Sequence, residues 1–462
     1  MATVEEAVGA AARASSSPTT REERAGWLEA LASALEADRA ELVALAHAET
    51  HLSEARLDGE VTRTAAQLRF FAGVVREGSY LEAVVESPDP SLVPPRPDLR
   101  RILRPLGPVA VYTASNFPFA FSVLGNDTAS ALAAGCPVIV KAHPGHPELS
   151  RRTAALAAGV LPEGRLTLVE GMEAGVELVR HPLVRAAGFT GSVRGGRALF
   201  DIAVSRPDPI PFYGELGSIN PVVVTRAAAA DRVAAIGDGL VGSFTRDAGQ
   251  YCTKPGLVFV PKGGGVEAAV RDALGAAPAS RQLTDGMAGA FASGVEAFAA
   301  HPGVEVVRAE AAAGESAPTV VFVPAAVFVS DPPTFREECF GPVTVVVTYA
   351  DDELGRLLDA LEPSLTATIH RGPGEDVTAL AAALAPIAGR LLFDGWPTGV
   401  AIGWAQHHGG GWPSTTASIH TSVGATAIRR WLTPIAYQDA PQEVLPPELR
   451  DGNSLRIPRR DS

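Results

Sequence analysis

From Gly107 onward the chain alternates short apolar runs with stretches of helical spacing, and this alternation limits the fold more than any other feature. Residues 107–115 read as a buried strand, 128–135 as a helix of small residues stopped by Gly135, and 137–142 as the next strand. Further runs open at Leu166, Ala186 and Ile210, each separated by a helical stretch. Strands this short and apolar are covered on both faces, and helical crossovers between them impose parallel pairing. The spacing predicts an open α/β sheet, whose ligands sit at the carboxyl ends of the strands. After Asn220 a second α/β run begins, with residues 221–225, a helix from about Ala230 and the strand 256–261. Strands resume at Thr319, Val343, Leu365 and Arg390, while 262–318 is rich in Ala and Gly and reads as weakly helical. A domain boundary is placed near Gly217.

The first ~85 residues read as helical. Thr20-Arg-Glu-Glu23 has the form of a capping box, and Trp27, Leu28, Leu31 and Leu35 follow at helical spacing. This stretch carries no evident chemistry. Residues 86–108, rich in Pro and Arg, read as an extended excursion from the body. The tail after Ala436 is polar and Pro-rich, and is expected to be partly disordered or wrapped on a neighbour. A net charge of −13 argues against nucleic acid and anionic membrane as partners. No apolar run reaches the ~18 residues of a membrane span, and the acidic N-terminus lacks the form of a signal peptide, so a cytoplasmic protein is expected.

The three cysteines, Cys136, Cys252 and Cys339, show no zinc spacing. His407-His408 has no third ligand at suitable spacing, so no metal is expected. Lysine stands only at 141, 254 and 262 in a chain otherwise biased to arginine, which suggests a need for a compact ammonium at these positions.

Three local patterns point to chemistry. Cys252 lies between a helical segment and a strand, with Gly249 and Gly256 on either side, where a thiolate would be a competent nucleophile. Glu215 ends an apolar strand between Gly214 and Gly217, the place of a base or of a solvated turn. Asn116 follows the first strand of the sheet, as an oxyanion donor or as a turn former before Pro118.

Six ordered segments resemble the aldehyde dehydrogenase superfamily: Ser115-Asn-Phe-Pro118, Val138-Ile-Val-Lys141, Phe189-Thr-Gly-Ser192, Gly214-Glu-Leu-Gly217, Gly249-Gln-Tyr-Cys252 and Glu337-Glu-Cys-Phe-Gly-Pro342. The resemblance runs from about Leu103 to the C-terminus. It implies that Cys252 attacks an aldehyde, that Asn116 and the Cys252 N–H hold the oxyanion, and that Glu215 activates water against the thioester. It also implies a dinucleotide cofactor, with Lys141 at the adenosine ribose, Gly191, Ser192 and Gly196 in the phosphate turn, Glu338 at the nicotinamide ribose and Phe340 near the ring. NAD-using relatives often carry Glu three residues after the lysine. Here Lys141-Ala-His-Pro144 has no carboxylate to repel a 2′-phosphate, so NADP is expected, held by Lys141 and His143.

Further stretches, such as 395–400 and 421–424, resemble the branch of α-ketoglutaric semialdehyde (2,5-dioxopentanoate) dehydrogenases and an NADP-dependent fatty aldehyde dehydrogenase. The implied reaction is oxidation of 2,5-dioxopentanoate to 2-oxoglutarate. The segment 415–420 lacks the Asp and Arg expected of that branch; Arg246 either compensates or is a helix-end cation. Rival readings are a broad-specificity or long-chain aldehyde dehydrogenase, a coenzyme A-acylating enzyme, and an inactive binding or structural homologue. The implied α/β fold has a dinucleotide-binding domain (1–88 and 107–217), a catalytic domain (218–424) and an oligomerisation element with tail (89–106 and 425–462), in a homodimer or homotetramer.

Overall fold

The computed structural model describes residues 2–462. It opens with four helices, α1 (Val4–Ser15), α2 (Arg21–Ala37), α3 (Arg39–Thr50) and α4 (Glu54–Glu77). Thr3 with Glu6, and Thr20 with Glu23, close capping boxes that start α1 and α2. Strands β1 (Ala83–Glu86) and β2 (Leu99–Pro105) then pair antiparallel.

The first α/β run forms one parallel sheet. Its strands are β3 (Val109–Tyr112), β4 (Val138–Lys141), β5 (Leu166–Val169), β6 (Ala186–Thr190) and β7 (Phe212–Glu215), in the order β5-β4-β3-β6-β7. Helices α5 (Asn126–Ala134), α6 (Pro147–Ala158), α7 (Met172–Arg180) and α8 (Val193–Ser205) make the crossovers. The chain turns one way from β3 to β4 and the other way to β6 and β7. The crevice where order reverses lies outside the carboxyl ends of β3 and β6, the ligand position of such sheets.

The second run forms a seven-stranded sheet from β8 (Val222–Val224), β9 (Leu257–Pro261), β10 (Glu305–Arg308), β11 (Thr319–Pro324), β12 (Val343–Tyr349), β13 (Ser364–His370) and β14 (Ala388–Phe393), in the order β10-β11-β12-β9-β8-β13-β14. Helices α9 (Arg226–Thr245), α10 (Val266–Leu274) and α11 (Asp285–Ala299) belong to it. The stretch 262–318 therefore holds a strand as well as helices. β10 is a four-residue edge strand, antiparallel to β11, with only Val306 and Val307 half-buried, too short to show a period.

The tail is neither loose nor confined to a neighbour. Strand β15 (Leu432–Gln438) pairs with β2, and β16 (Arg459–Asp461) pairs with β1. Leu445, Leu449 and Ile457 are buried in the core that includes Leu28, Leu68 and Phe71. A few apolar residues at the right spacing anchor a segment whose composition is polar overall. Among the described residues, no helix is long and apolar enough to cross a membrane.

Candidate active site

A cavity of about 1180 Å³ opens at the carboxyl ends of the first sheet. Asn116 after β3, His143 after β4, Gly191 and Ser192 after β6, and Glu215 at the end of β7 line one side. Cys252, Glu338 and Phe340 line the other. Three predicted residues lie outside it. Lys141 is buried at the end of β4, its stem against Gly175. Gly196 lies inside α8, where a Cβ would collide with Leu216, so its role in the geometry is close packing. Arg246 is exposed at the end of α9 with its guanidinium over the Tyr251 ring, 5.8 Å from the centroid. That position fits the helix-end reading.

At the floor of the cavity three groups converge that no local pattern joined. The Cys252 sulfur lies 3.6 Å from His408 Nε2, which lies 3.0 Å from Glu215 Oε1. Ser422 Oγ donates to the other Glu215 oxygen. The segment holding His408 and Ser422 is docked on β7: Leu216 N–H donates to Ser414 O at 2.8 Å, and Gly214 N–H to Thr416 Oγ1 at 2.8 Å. Of the His407-His408 pair, which lacked a third ligand on sequence spacing, His408 alone has two ligand-type partners in space. The ligand atoms of Glu215, Cys252 and His408 all lie within 4.8 Å of one another.

The electrostatics are those of a dry site. Burial, together with the Glu215 and Glu338 carboxylates, pushes the Cys252 thiol well up. Burial would also raise the Glu215 carboxyl, but His408, Ser422 and Cys252 outweigh it and hold the group below its ordinary value. Glu215 is thus kept ionised beside a thiol kept protonated. Both short contacts of His408 use Nε2. Held against an ionised carboxylate, Nε2 carries its proton and donates to Glu215, so it offers no lone pair to the thiol.

Helix α4, which read as featureless, braces the loop after β3. Arg56 donates to Asn116 O at 2.9 Å and pairs with Glu60 and, at 3.0 Å, Asp247. Glu60 Oε1 accepts from Phe119 N–H and Ala120 N–H at 2.9 and 2.8 Å. The Asn116 amide donates to Gln250 O at 2.9 Å, which leaves its second N–H for the cavity. Lys254 makes full use of a compact ammonium, donating to the carbonyls of Cys339, Gly341 and Val343 at 2.7, 3.0 and 2.9 Å. These bonds fix the loop that presents Glu338. Burial raises the Glu338 carboxyl to about 7 against the opposing pull of Lys254. At Gly217 a Cβ would lie 2.5 Å from Glu338 Oε2, so the glycine leaves space for that carboxylate.

Burial, His146 and Lys141 press His143 down to about 3, so its ring is neutral. Nδ1 accepts from Gly145 N–H at 3.0 Å, which leaves Nε2–H as the free donor. Cys136 is packed core, and Cys339 is buried on the cavity wall.

A doubly wound sheet faces a second α/β sheet across a crevice with a thiol, an imidazole and a carboxylate at its floor, the groups that covalent catalysis by a thiol would use. The sequence matches the aldehyde dehydrogenase family over residues 1–410, and the chain belongs to that family. It is an oxidoreductase acting on aldehydes. It is 48% identical to alpha-ketoglutaric semialdehyde dehydrogenase 2 of Azospirillum brasilense, covering 94% of this chain and 86% of that one. It is 39% identical to an alpha-ketoglutaric semialdehyde dehydrogenase of Acinetobacter baylyi, covering 96% and 87%. In fold it is similar to a 1-pyrroline-5-carboxylate dehydrogenase from Thermus, with a TM-score of 0.80 and 22% identity, covering 94% and 85%.

Proposed function

We propose that this enzyme oxidises 2,5-dioxopentanoate to 2-oxoglutarate through a covalent intermediate on Cys252, with NADP as the preferred acceptor. The observation that carries the chemistry is the convergence of Cys252, His408 and Glu215 within 4.8 Å at the floor of the cavity. The substrate reading rests on the two relatives named for this semialdehyde.

Glu215 takes the thiol proton as sulfur attacks the aldehyde, while the Nε2–H of His408 holds that carboxylate in place, and the proton then passes to solvent. The free N–H of Asn116 and the Cys252 backbone N–H receive the oxyanion of the thiohemiacetal. A bound nicotinamide dinucleotide supplies the hydride acceptor that carries the intermediate to a thioester. Glu215, ionised and buried, then takes a proton from water as it attacks the thioester carbonyl. Sulfur leaves and the acid is released.

The cavity suits a dinucleotide. Gly191 and Ser192 stand at the start of α8, where backbone N–H groups favour phosphate. Glu338 offers a carboxylate to ribose hydroxyls. The 2′-phosphate of NADP is met at the cavity wall by the neutral Nε2–H of His143, beside a turn 141–144 that carries no carboxylate, and Lys141, outside the lining, adds its charge from the end of β4. The chain is also proposed to work as a homodimer or homotetramer in the cytoplasm.

The test is NADPH formation across 2,5-dioxopentanoate, glutaraldehyde, and short and long aliphatic aldehydes, with Cys252→Ala as control. The reading expects the highest kcat/KM for 2,5-dioxopentanoate and a dead Cys252→Ala. A tenfold preference for neutral aldehydes, about 1.4 kcal/mol of transition-state free energy, overturns the substrate. A preference for NAD overturns the cofactor.

A further inference from the structure

Arg63 stands on α4 beside the nucleophile, and nothing in the machinery above uses it. Its guanidinium lies over the rings of Phe117 and Phe121, 5.8 and 5.7 Å from their centroids. Nη2 donates to Val400 O at 3.2 Å. Nη1 is buried and has no hydrogen-bond partner. Phe117, Phe121 and Val400 belong to one apolar cluster with Ala114, Ala120 and Val423. A guanidinium end buried in such a wall without an acceptor is costly, and the cost is removed when an acceptor arrives.

This wall adjoins the nucleophile: Phe117, under the Arg63 guanidinium, packs edge-on against Tyr251, the residue before Cys252, with ring centroids 5.2 Å apart. Burial lowers the Arg63 pKa, while Glu60 and the Cys252 sulfur act the other way, so the guanidinium and the thiolate sense each other. Arg390 is a second cation near the sulfur. It is placed differently: its Nη2 is committed to Pro397 O and Gly399 O at 2.8 and 3.0 Å, its Nη1 donates to no protein group, and the donor it buries without a partner is the single N–H at Nε, whereas that of Arg63 is a terminal NH₂. A terminal NH₂ of arginine offers two hydrogens and is the better match for a carboxylate.

We infer that Arg63 binds the carboxylate end of the aldehyde whose other end is attacked by Cys252. The inference rests on the aldehyde-oxidation reading above and deepens it. It also accounts for the segment 415–420, which lacks the arginine expected there. The cation that selects an anionic aldehyde comes instead from α4, more than 300 residues earlier in the chain.

The test compares kcat/KM for 2,5-dioxopentanoate and succinate semialdehyde with that for pentanal, a neutral aldehyde of similar length, in wild type, Arg63→Met and Arg63→Lys. Arg63→Met is expected to lower the anionic-to-neutral ratio by about 30-fold, the loss of one hydrogen bond between charged groups, and to do so through KM. Arg63→Lys is expected to fall between. Glutarate, which needs no turnover to bind, should shield Cys252 from iodoacetamide in wild type and lose that effect in Arg63→Met. If wild type favours another anionic aldehyde and Arg63→Met loses that preference, the proposed substrate falls and the role of Arg63 stands. If wild type favours 2,5-dioxopentanoate and Arg63→Met keeps both the ratio and the shielding, the inference is overturned. It is also overturned if both variants slow all aldehydes alike, because Arg63 then only holds Val400.

Discussion

Replacing His408 with alanine tests whether one imidazole readies both catalytic groups. In the wild-type site Nε2 lies 3.0 Å from Glu215 Oε1 and 3.6 Å from the Cys252 sulfur. Removing the ring takes a charged hydrogen bond of ~1.5–3 kcal/mol from a buried carboxylate. At about 1.36 kcal/mol per unit, the Glu215 pKa should rise by about one to two units. Ser422 and Cys252 would then be left to oppose the burial term. In wild type the depressed pKa keeps Glu215 ionised to low pH; in His408→Ala it protonates sooner on acidification. The acid limb of the kcat profile should therefore move to higher pH by about one to two units. The sulfur also loses the N–H that faces it at 3.6 Å and favours its thiolate, so iodoacetamide should modify Cys252 more slowly near neutral pH. Both are measurable on one preparation, from NADPH formation against pH and from mass spectrometry of the Cys252 peptide. His408→Gln, which keeps an N–H donor but no charge, should lie between wild type and His408→Ala. If the acid limb and the alkylation rate stay at their wild-type values, the imidazole is packing and sets neither Glu215 nor Cys252.

Lys254→Met leaves three buried carbonyls without their donor, and should cost about 3 kcal/mol or more in thermal or denaturant unfolding while raising KM for the dinucleotide. An unchanged melting curve would show that the Glu338 loop is held by other contacts. Dinucleotide affinity should strengthen between about pH 6 and pH 8, because the Glu338 carboxyl, raised to about 7, must ionise to accept from ribose hydroxyls. Fluorescence titration should show this slope, and Glu338→Gln should flatten it. Zinc at micromolar concentration should inhibit by bridging the Cys252, His408 and Glu215 ligand atoms. The inhibition should reverse with chelator and weaken in His408→Ala, and equal inhibition of that variant would place the ion elsewhere.

What is legible in the sequence is what local patterns encode. Short apolar runs mark the strands of both sheets, and glycines beside Cys252 and Glu215 mark strand ends where a ligand can approach. The partners of those residues are not local. His408 and Ser422 meet Glu215 across 193 and 207 residues of chain. No period links them, and an adjacent pair of histidines does not show which ring faces inward. Likewise the Lys254 ammonium is noticeable as a rare lysine, but its three carbonyls lie 85, 87 and 89 residues away.

Helix α4 misleads for a different reason. Arg56, Glu60 and Arg63 recur at i, i+4 and i+7, the spacing of one helix face, and a charged face on a helix is ordinarily the solvated one. Here that face meets the loop after β3. Glu60 is buried because two backbone N–H groups of the loop turn toward it, and Arg56 is held because Glu60, Asp247 and Asn116 O accept from it. The stripe is thus a scaffold for the loop after β3, and at its third position it delivers a guanidinium with a donor still free. The absence of charge from 415–420 does not argue for a neutral substrate, because this chain carries its buried cation on a helix that the motif does not include.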